Sequence, residues 1–301
     1  MYAILLPLLP LLTTLIVALG DDRSRRARAQ FGAIPIGAAF CGAVAALYVV
    51  TTQGPISLRF YNPASLASLT FPIGFYIDRL SAVMMVLIAG VGTVIYAYSI
   101  DYMYQDPHEP RYMALIGLTL FVLLCMVSSA NLMMLFLFWQ LLSYLLYLLA
   151  HNHSHAATLH GAFRTFTLLR MGDVAFLAGI VLAHSLYGTL EFQELFTRAA
   201  ATPVTLSPLP GWEISGATAV TLLLFIGGMS KSAQVPLHFW LPRSLYAPTP
   251  VHALLHAGII NAGGFLINRL APLFGLSSTT LHVAFVVGTL TAVLGATMML
   301  A

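Results

Sequence analysis

The chain has 301 residues, 59% of them hydrophobic and only 8% formally charged, with a mean hydropathy of +0.89. A soluble domain carries about a quarter charged residues, so a water-soluble globule is excluded. Apolar runs of roughly 18–22 residues select spanning helices over the ~10-residue alternations of a barrel. A net charge of +3 without aromatic-interleaved basic blocks offers nothing to nucleic acid.

The expected fold class is all-α, a polytopic transmembrane bundle of about nine helices. Met1 to Gly20 is apolar but lacks a basic leader and a small-residue cleavage site, so it reads as a retained first helix. Asp21-Asp22-Arg23-Ser24-Arg25-Arg26-Ala27-Arg28 separates it from a second run, about Phe31 to Thr52. A polar, proline-containing stretch from Gln53 to Ile77 leads to Asp78 and Arg79 at the mouth of helix three, which reaches about Tyr98. Helix four covers about Tyr112 to Val127, and helix five runs from the Ser128–Asn131 turn to Ala150. The loop His151-Asn152-His153-Ser154-His155, with His160 beyond, is a weak metal signal and reads better as a solvated or partner-facing loop. Helix six spans about Gly161 to Tyr187, and the longest polar interval runs from Gly188 to Ser215. Helix seven extends over about Gly216 to Val235, helix eight over about Pro250 to Leu270, and helix nine begins near Leu281. Three regions result: 1–77, two helices and an external loop; 78–270, helices three to eight; and 271–301, the start of a further helix. The apolar run still open at Ala301 suggests truncation, or half of a larger assembly. Placing Arg23–Arg28 in the cytoplasm also puts Arg111, Arg164 and Arg243 near that side, so the N-terminus is expected outside. Cys41 and Cys125 lie in apolar runs without a redox or metal spacing, and read as small buried hydrophobes.

A charge at mid-bilayer costs about 2.5–3.5 kcal/mol even on the lenient insertion scale, so each one needs a reason. Lys231 is the only lysine in the protein, and Pro236 five residues later removes a backbone donor. A helix broken beside a buried amine is a way to build an ion site; the alternative is a lysine snorkelling to the interface. Arg170 and Asp173 are spaced i,i+3 on helix six, either as a functional pair or as a packing ion pair. His252 and His256 stand i,i+4 on helix eight. They can pass a proton near neutral pH, bind zinc with further ligands, or sit as satisfied core histidines. Asn261, Gly258, Gly263 and Gly264 on the same helix suit close helix approach. Tyr144, Tyr147 and Trp139 read as packing or interface aromatics. No phosphate loop, CxxC or haem motif is present, so ion movement rather than substrate chemistry is expected, with no catalytic site in this chain.

Three blocks carry a resemblance: Phe163 to Val174, ending Leu-Leu-Arg-Met-Gly-Asp-Val; Ser230-Lys-Ser-Ala-Gln-Val-Pro-Leu-His-Phe-Trp-Leu241; and Pro248-Thr-Pro-Val-His-Ala-Leu-Leu-His-Ala-Gly258. From about Asp78 onward the chain resembles the antiporter-like subunits of complex I and of multisubunit cation/proton antiporters. The resemblance implies that helices four to eight form a half-channel with a broken seventh helix. It also implies that Lys231 is central to proton transfer, with His256 beside it, and that an inverted second copy follows near helices nine to thirteen. In complex I subunits a glutamate follows the helix-five tryptophan and partners the lysine; here the match is Trp139-Gln140. Glutamine cannot ionise, and Asp173 or another subunit is the expected substitute. The stretch His252 to Leu273 looks most like the membrane subunit of DAB inorganic-carbon accumulation complexes. That likeness implies a cation gradient, of protons by preference, that energises a soluble zinc-containing, carbonic-anhydrase-like partner on the cytoplasmic face. Zinc is then expected on the partner and no cofactor on this chain. A complex I or antiporter component, and a degenerate membrane anchor, remain the competing readings.

Overall fold

The structure is a computed structural model that describes residues 5–20, 25–66, 69–150, 156–209, 211–241 and 248–300. The His151–His155 loop and Arg243 lie outside the described residues. Among the described residues, seven helices are long and apolar enough to cross a bilayer: α2 (Arg25–Gln53), α3 (Arg79–Tyr102), α4 (Glu109–Val127), α5 (Leu132–Ala150), the Gly161–Tyr187 part of α6 (Ala156–Tyr187), the Thr249–Arg269 segment, and α12 (Ser278–Leu300). Two shorter apolar helices, α1 (Leu8–Leu19) and α8 (Gly216–Lys231), accompany them. Together they answer to the nine expected runs, and the chain is a multi-pass membrane protein.

The polar stretch after Gln53 is not an irregular loop. It forms an antiparallel hairpin, β1 (Ile56–Leu66) with β2 (Leu69–Ile77), in the register Ile56↔Ile77 and Leu58↔Phe75. Alternation such as Ile56-Ser57-Leu58-Arg59-Phe60 has the two-residue period of a half-covered strand. The hairpin caps one end of the bundle: Tyr76 N–H donates to the Ser128 carbonyl at 2.8 Å, and Ala130 N–H to Gly74 at 3.2 Å. The polar interval before α8 likewise holds structure, the amphipathic α7 (Phe192–Ala201) and a small hairpin of β3 (Thr205–Leu209) and β4 (Trp212–Ser215). Leu132 N–H reaches the Leu190 carbonyl at 2.9 Å, so the same face gathers the α4–α5 and α6–α7 turns. Arg26 pairs with Asp101 at 3.0 Å at the opposite face, where α2 begins and α3 ends.

The seventh predicted helix is α8, and it stops at Lys231, four residues before the expected end. A 3-10 turn, Leu237–Trp240, follows the break. The eighth is interrupted as well: α9 (Thr249–Leu254) passes through a π turn, Leu255–Ile259, into α10 (Asn261–Arg269). A π turn frees carbonyls from the ordinary ladder; the Asn261 side-chain amide takes up those of His256 and Ala257 at 2.9 and 3.2 Å. A short α11 (Ala271–Phe274) leads to α12.

α6 and α8 pack closely because glycines remove side chains where the helices meet. A Cβ on Gly172 would lie 2.2 Å from Ser230 Cβ, and one on Gly227 would lie 2.7 Å from Phe176 Cβ. Without a hydrophobic drive in lipid, such small-residue contacts let backbones approach. They bring the Arg170–Asp173 segment against the end of α8.

Candidate functional site: a buried lysine at a broken helix

α8 begins at the hairpin face, and its 16 residues rise about 24 Å, less than the ~30 Å hydrocarbon core. Its last residue, Lys231, therefore ends within the membrane, not at the far headgroups. The depth of its contacts agrees: Ser143 stands about 17 Å along α5 from the hairpin end and about 10 Å from the other. Lys231 is 1% exposed, so it does not snorkel.

Two neutral acceptors hold the ammonium. It donates to Ser143 Oγ and, at 3.2 Å, to the Trp139 carbonyl, and it lies 4.9 Å from the Trp139 ring centroid. Ser143 and Trp139 are one turn apart on α5, so their polar groups face the same way. The Trp139 indole donates in turn to Asp173 Oδ1 at 2.7 Å. Asp173 supplies the attractive charge that reaches Lys231, and Arg170 a repulsive one. The Arg170 Nε lies 3.4 Å from Asp173 Oδ2, and its Nη1 donates to Gln140 Oε1. The guanidinium also sits 4.5 Å over the Phe166 ring.

This arrangement can serve both protonation states of an amine. The Ser143 hydroxyl accepts from an ammonium, yet it also lies 3.2 Å from the Trp139 carbonyl as a donor, and a hydroxyl can turn to donate to a neutral amine. Asp173, joined to the site through one indole, stabilises the charged form by its field. Gln140 does not take the place of a carboxylate facing Lys231; its amide oxygen is committed to Arg170.

The structure brings together Lys231, Asp173, Arg170 and Gln140, but not the histidines. Among the described residues, the hydrogen bonds and charges that reach Lys231 come from α5 and α6, while His256 is exposed on the π turn and His252 Nε2 is buried without a hydrogen-bond partner. Neither histidine supplies a hydrogen bond to Lys231 among the described residues. The link between the two helices is instead Ser232, whose hydroxyl donates to the Ile260 carbonyl at 2.8 Å. No group of three His, Cys, Asp or Glu among the described residues is placed to hold a metal.

Sequence reasoning missed Ser143 altogether and read Trp139 as packing. The available signal was a serine one helical turn from a tryptophan in an apolar run, where a polar side chain needs a partner. It also missed a second polar cluster. Arg269, at the end of α10, donates to the Asp78 carboxylate at 2.6 and 3.1 Å and to Ser81 Oγ. Its guanidinium lies 5.7 and 5.3 Å from the Phe192 and Phe265 ring centroids. Asp78 also caps α3 by accepting from Ser81 N–H at 2.9 Å. Burial alone would raise the Asp78 carboxyl, but the hydrogen bond and charge of Arg269 outweigh it and hold the group below its ordinary range.

Comparison with known proteins fits this geometry. Residues 129–301 match the family model described as NADH:quinone oxidoreductase/Mrp antiporter, TM, and residues 64–113 match the N-terminal model of complex I chain 5. The chain belongs to this antiporter-like membrane family. It is similar to the probable inorganic carbon transporter subunit DabB1 of Halothiobacillus neapolitanus, 39% identical over 300 residues, covering 98% of this chain and 51% of the relative. It also resembles NADH-quinone oxidoreductase subunit L of Neisseria meningitidis serogroup B, at 33% identity covering 96% of this chain and 44% of that protein. The chain thus spans about half the length of the curated relatives it matches. Among solved structures, the archaeal membrane-bound sulfane sulfur reductase shares the fold with a TM-score of 0.75 and 21% identity, covering 95% of this chain and 56% of that one. Respiratory complex I from Thermus thermophilus does so with a TM-score of 0.71 and 20% identity, covering 90% and 53%.

Proposed function

We propose that this chain is the cation-conducting membrane subunit of an inorganic-carbon accumulation complex. Protons are the preferred ion, and the chain energises a soluble zinc-containing, carbonic-anhydrase-like partner on the cytoplasmic face. The observation that carries the ion-conducting part is the sole lysine of the chain, buried at the broken end of α8 against a hydroxyl and a carbonyl. A charge so placed is expensive and marks an ion path by default. The likeness to the DabB1 relative supports the carbon-accumulating part.

In this reading Lys231 takes up and releases the proton, Ser143 adapts to either state, and Asp173 offsets the charge. Arg170, held by Gln140, keeps the carboxylate from being a bare anion. His252, whose buried Nε2 has no hydrogen-bond partner among the described residues, is the next station, and His256 enters the path only through whatever packs on its exposed side. The Arg25–Arg28 end of α2 is cytoplasmic, the N-terminus and hairpin face lie outside, and the membrane is the cell inner membrane. Zinc and the hydration of CO2 reside on the partner.

Bicarbonate uptake by cells carrying Lys231→Ala tests this reading; accumulation should be abolished, and undiminished accumulation removes the lysine from the mechanism. The similarity to subunit L favours a second reading, a proton-pumping subunit of a complex I-like oxidoreductase or a multisubunit antiporter. Isolation of the chain with its neighbours separates the two: a single large zinc protein supports the first, flavin and iron–sulfur subunits the second.

A further inference from the structure

The backbone after Lys231 reverses in a tight turn in which Ala233 has φ +51°. That conformation is costly for a non-glycine residue and persists where its surroundings enforce it. The N–H groups of such a turn must find acceptors where water is scarce. Ala233 and Gln234 find theirs locally, donating to the Ser230 and Met229 carbonyls at 3.3 and 3.0 Å. Val235 does not: its N–H donates to the Thr291 hydroxyl of α12 at 3.1 Å. Thr291 gives its own proton to the Val287 carbonyl at 2.7 Å, so it meets Val235 with a lone pair. The exposed Thr289, two residues earlier, bonds back to the Phe285 carbonyl on its own helix. α12 is otherwise lightly held. None of its spanning window is buried, and near its start the Thr218–Ser277 and Thr221–Thr280 hydroxyl pairs, each 2.8 Å, tie it to α8.

We propose that Thr291 is a positioning residue for Lys231. Through the Val235 N–H, α12 holds the broken end of α8, and a displacement of α12 is passed along the taut turn to the ammonium and its Ser143 and Trp139 contacts. A helix bare on its remaining sides is thereby coupled to the membrane charge, so whatever packs on α12 acts on the ion site. This rests on the transport role of Lys231.

The test uses the full-length protein with its partners in native membrane vesicles. Thr291→Val keeps the shape and deletes the acceptor, Thr291→Ser keeps the acceptor, and Thr289→Val is the control. Hydrogen exchange at the Val235 amide should quicken about fivefold in Thr291→Val, the loss of one hydrogen bond. The pH profile of transport should be displaced with it. Thr291→Ser should restore both, and Thr289→Val should change neither. Should Thr291→Val fail to accumulate, Thr291→Cys, a weak acceptor of similar size, is read by the same criteria. Wild-type exchange and pH profile in Thr291→Val, with transport abolished by Lys231→Ala, overturn the role of Thr291 and leave that of Lys231 standing. Failure of Thr291→Ser to rescue likewise overturns the role of Thr291 alone, whereas unaltered transport in Lys231→Ala overturns both.

Discussion

Arg269→Met should loosen the hairpin face by an amount the geometry bounds. The substitution keeps an unbranched aliphatic side chain but deletes the donors to both Asp78 oxygens and to Ser81 Oγ, together with the guanidinium's contacts with Phe192 and Phe265. Removing one partner of a fully buried ion pair costs about 3–5 kcal/mol, whereas a fully exposed pair is worth about 0–1 kcal/mol. Here the arginine side chain is 4% exposed and the aspartate 28%, so the abandoned carboxylate can partly rehydrate. The expected loss is about 2–3 kcal/mol, between those limits. Asp78→Asn should cost less, about 1–2 kcal/mol, because the amide oxygen still caps Ser81 N–H. Unfolding of the full-length protein in detergent, measured for both single variants and the double variant, gives the coupling directly. It should come to about 1–2 kcal/mol. A coupling within about 0.5 kcal/mol of zero would show that the two groups meet without stabilising each other, and the clamp would be no more than proximity.

Acid should expose the same pair. The Asp78 carboxyl sits below its ordinary 3.8 in the folded protein, so its contribution is fully present above about pH 4 and is lost as pH falls through the lowered value. The stability difference between wild type and Asp78→Asn should therefore stay flat from pH 6 to about 4 and shrink only below it; a decline starting near pH 6 would contradict the assignment. Gly172→Ala should force α6 from α8, since its Cβ would meet Ser230 Cβ at 2.2 Å, an atom fixed to the backbone. A melting measurement should report a loss of about 1–3 kcal/mol. Gly264→Ala, with nothing within 4 Å, should be neutral or gain up to about 1 kcal/mol in helix propensity, and equal losses in the two would refute the close-approach argument.

The helical segments were legible along the chain because lipid leaves the backbone few choices: a 19-residue apolar run with no water to bond must close its own ladder. The break beside Lys231 was legible for a related reason, since Pro236 carries no donor. The hairpin at Ile56–Ile77 was not seen, because its short alternation competes with proline and polar residues that read as loop. The π turn at Leu255–Ile259 leaves no trace in the apolar pattern; Asn261, which satisfies its carbonyls, reads along the chain only as suited to close helix approach.

Composition and periodicity alone determined that the chain lives in a bilayer, and the rarity of its charges singled out Lys231, Arg170 and Asp173. Which of these meet was decided by tertiary structure. Gln140 belongs to Arg170, Ser143 and the Trp139 carbonyl belong to Lys231, and Asp78 belongs to Arg269 across 191 positions of sequence. The physical reason is that a buried charge takes the nearest partner the packing provides. Glycine contacts and the lengths of helices set that packing, and no local pattern along the chain encodes which faces they bring together.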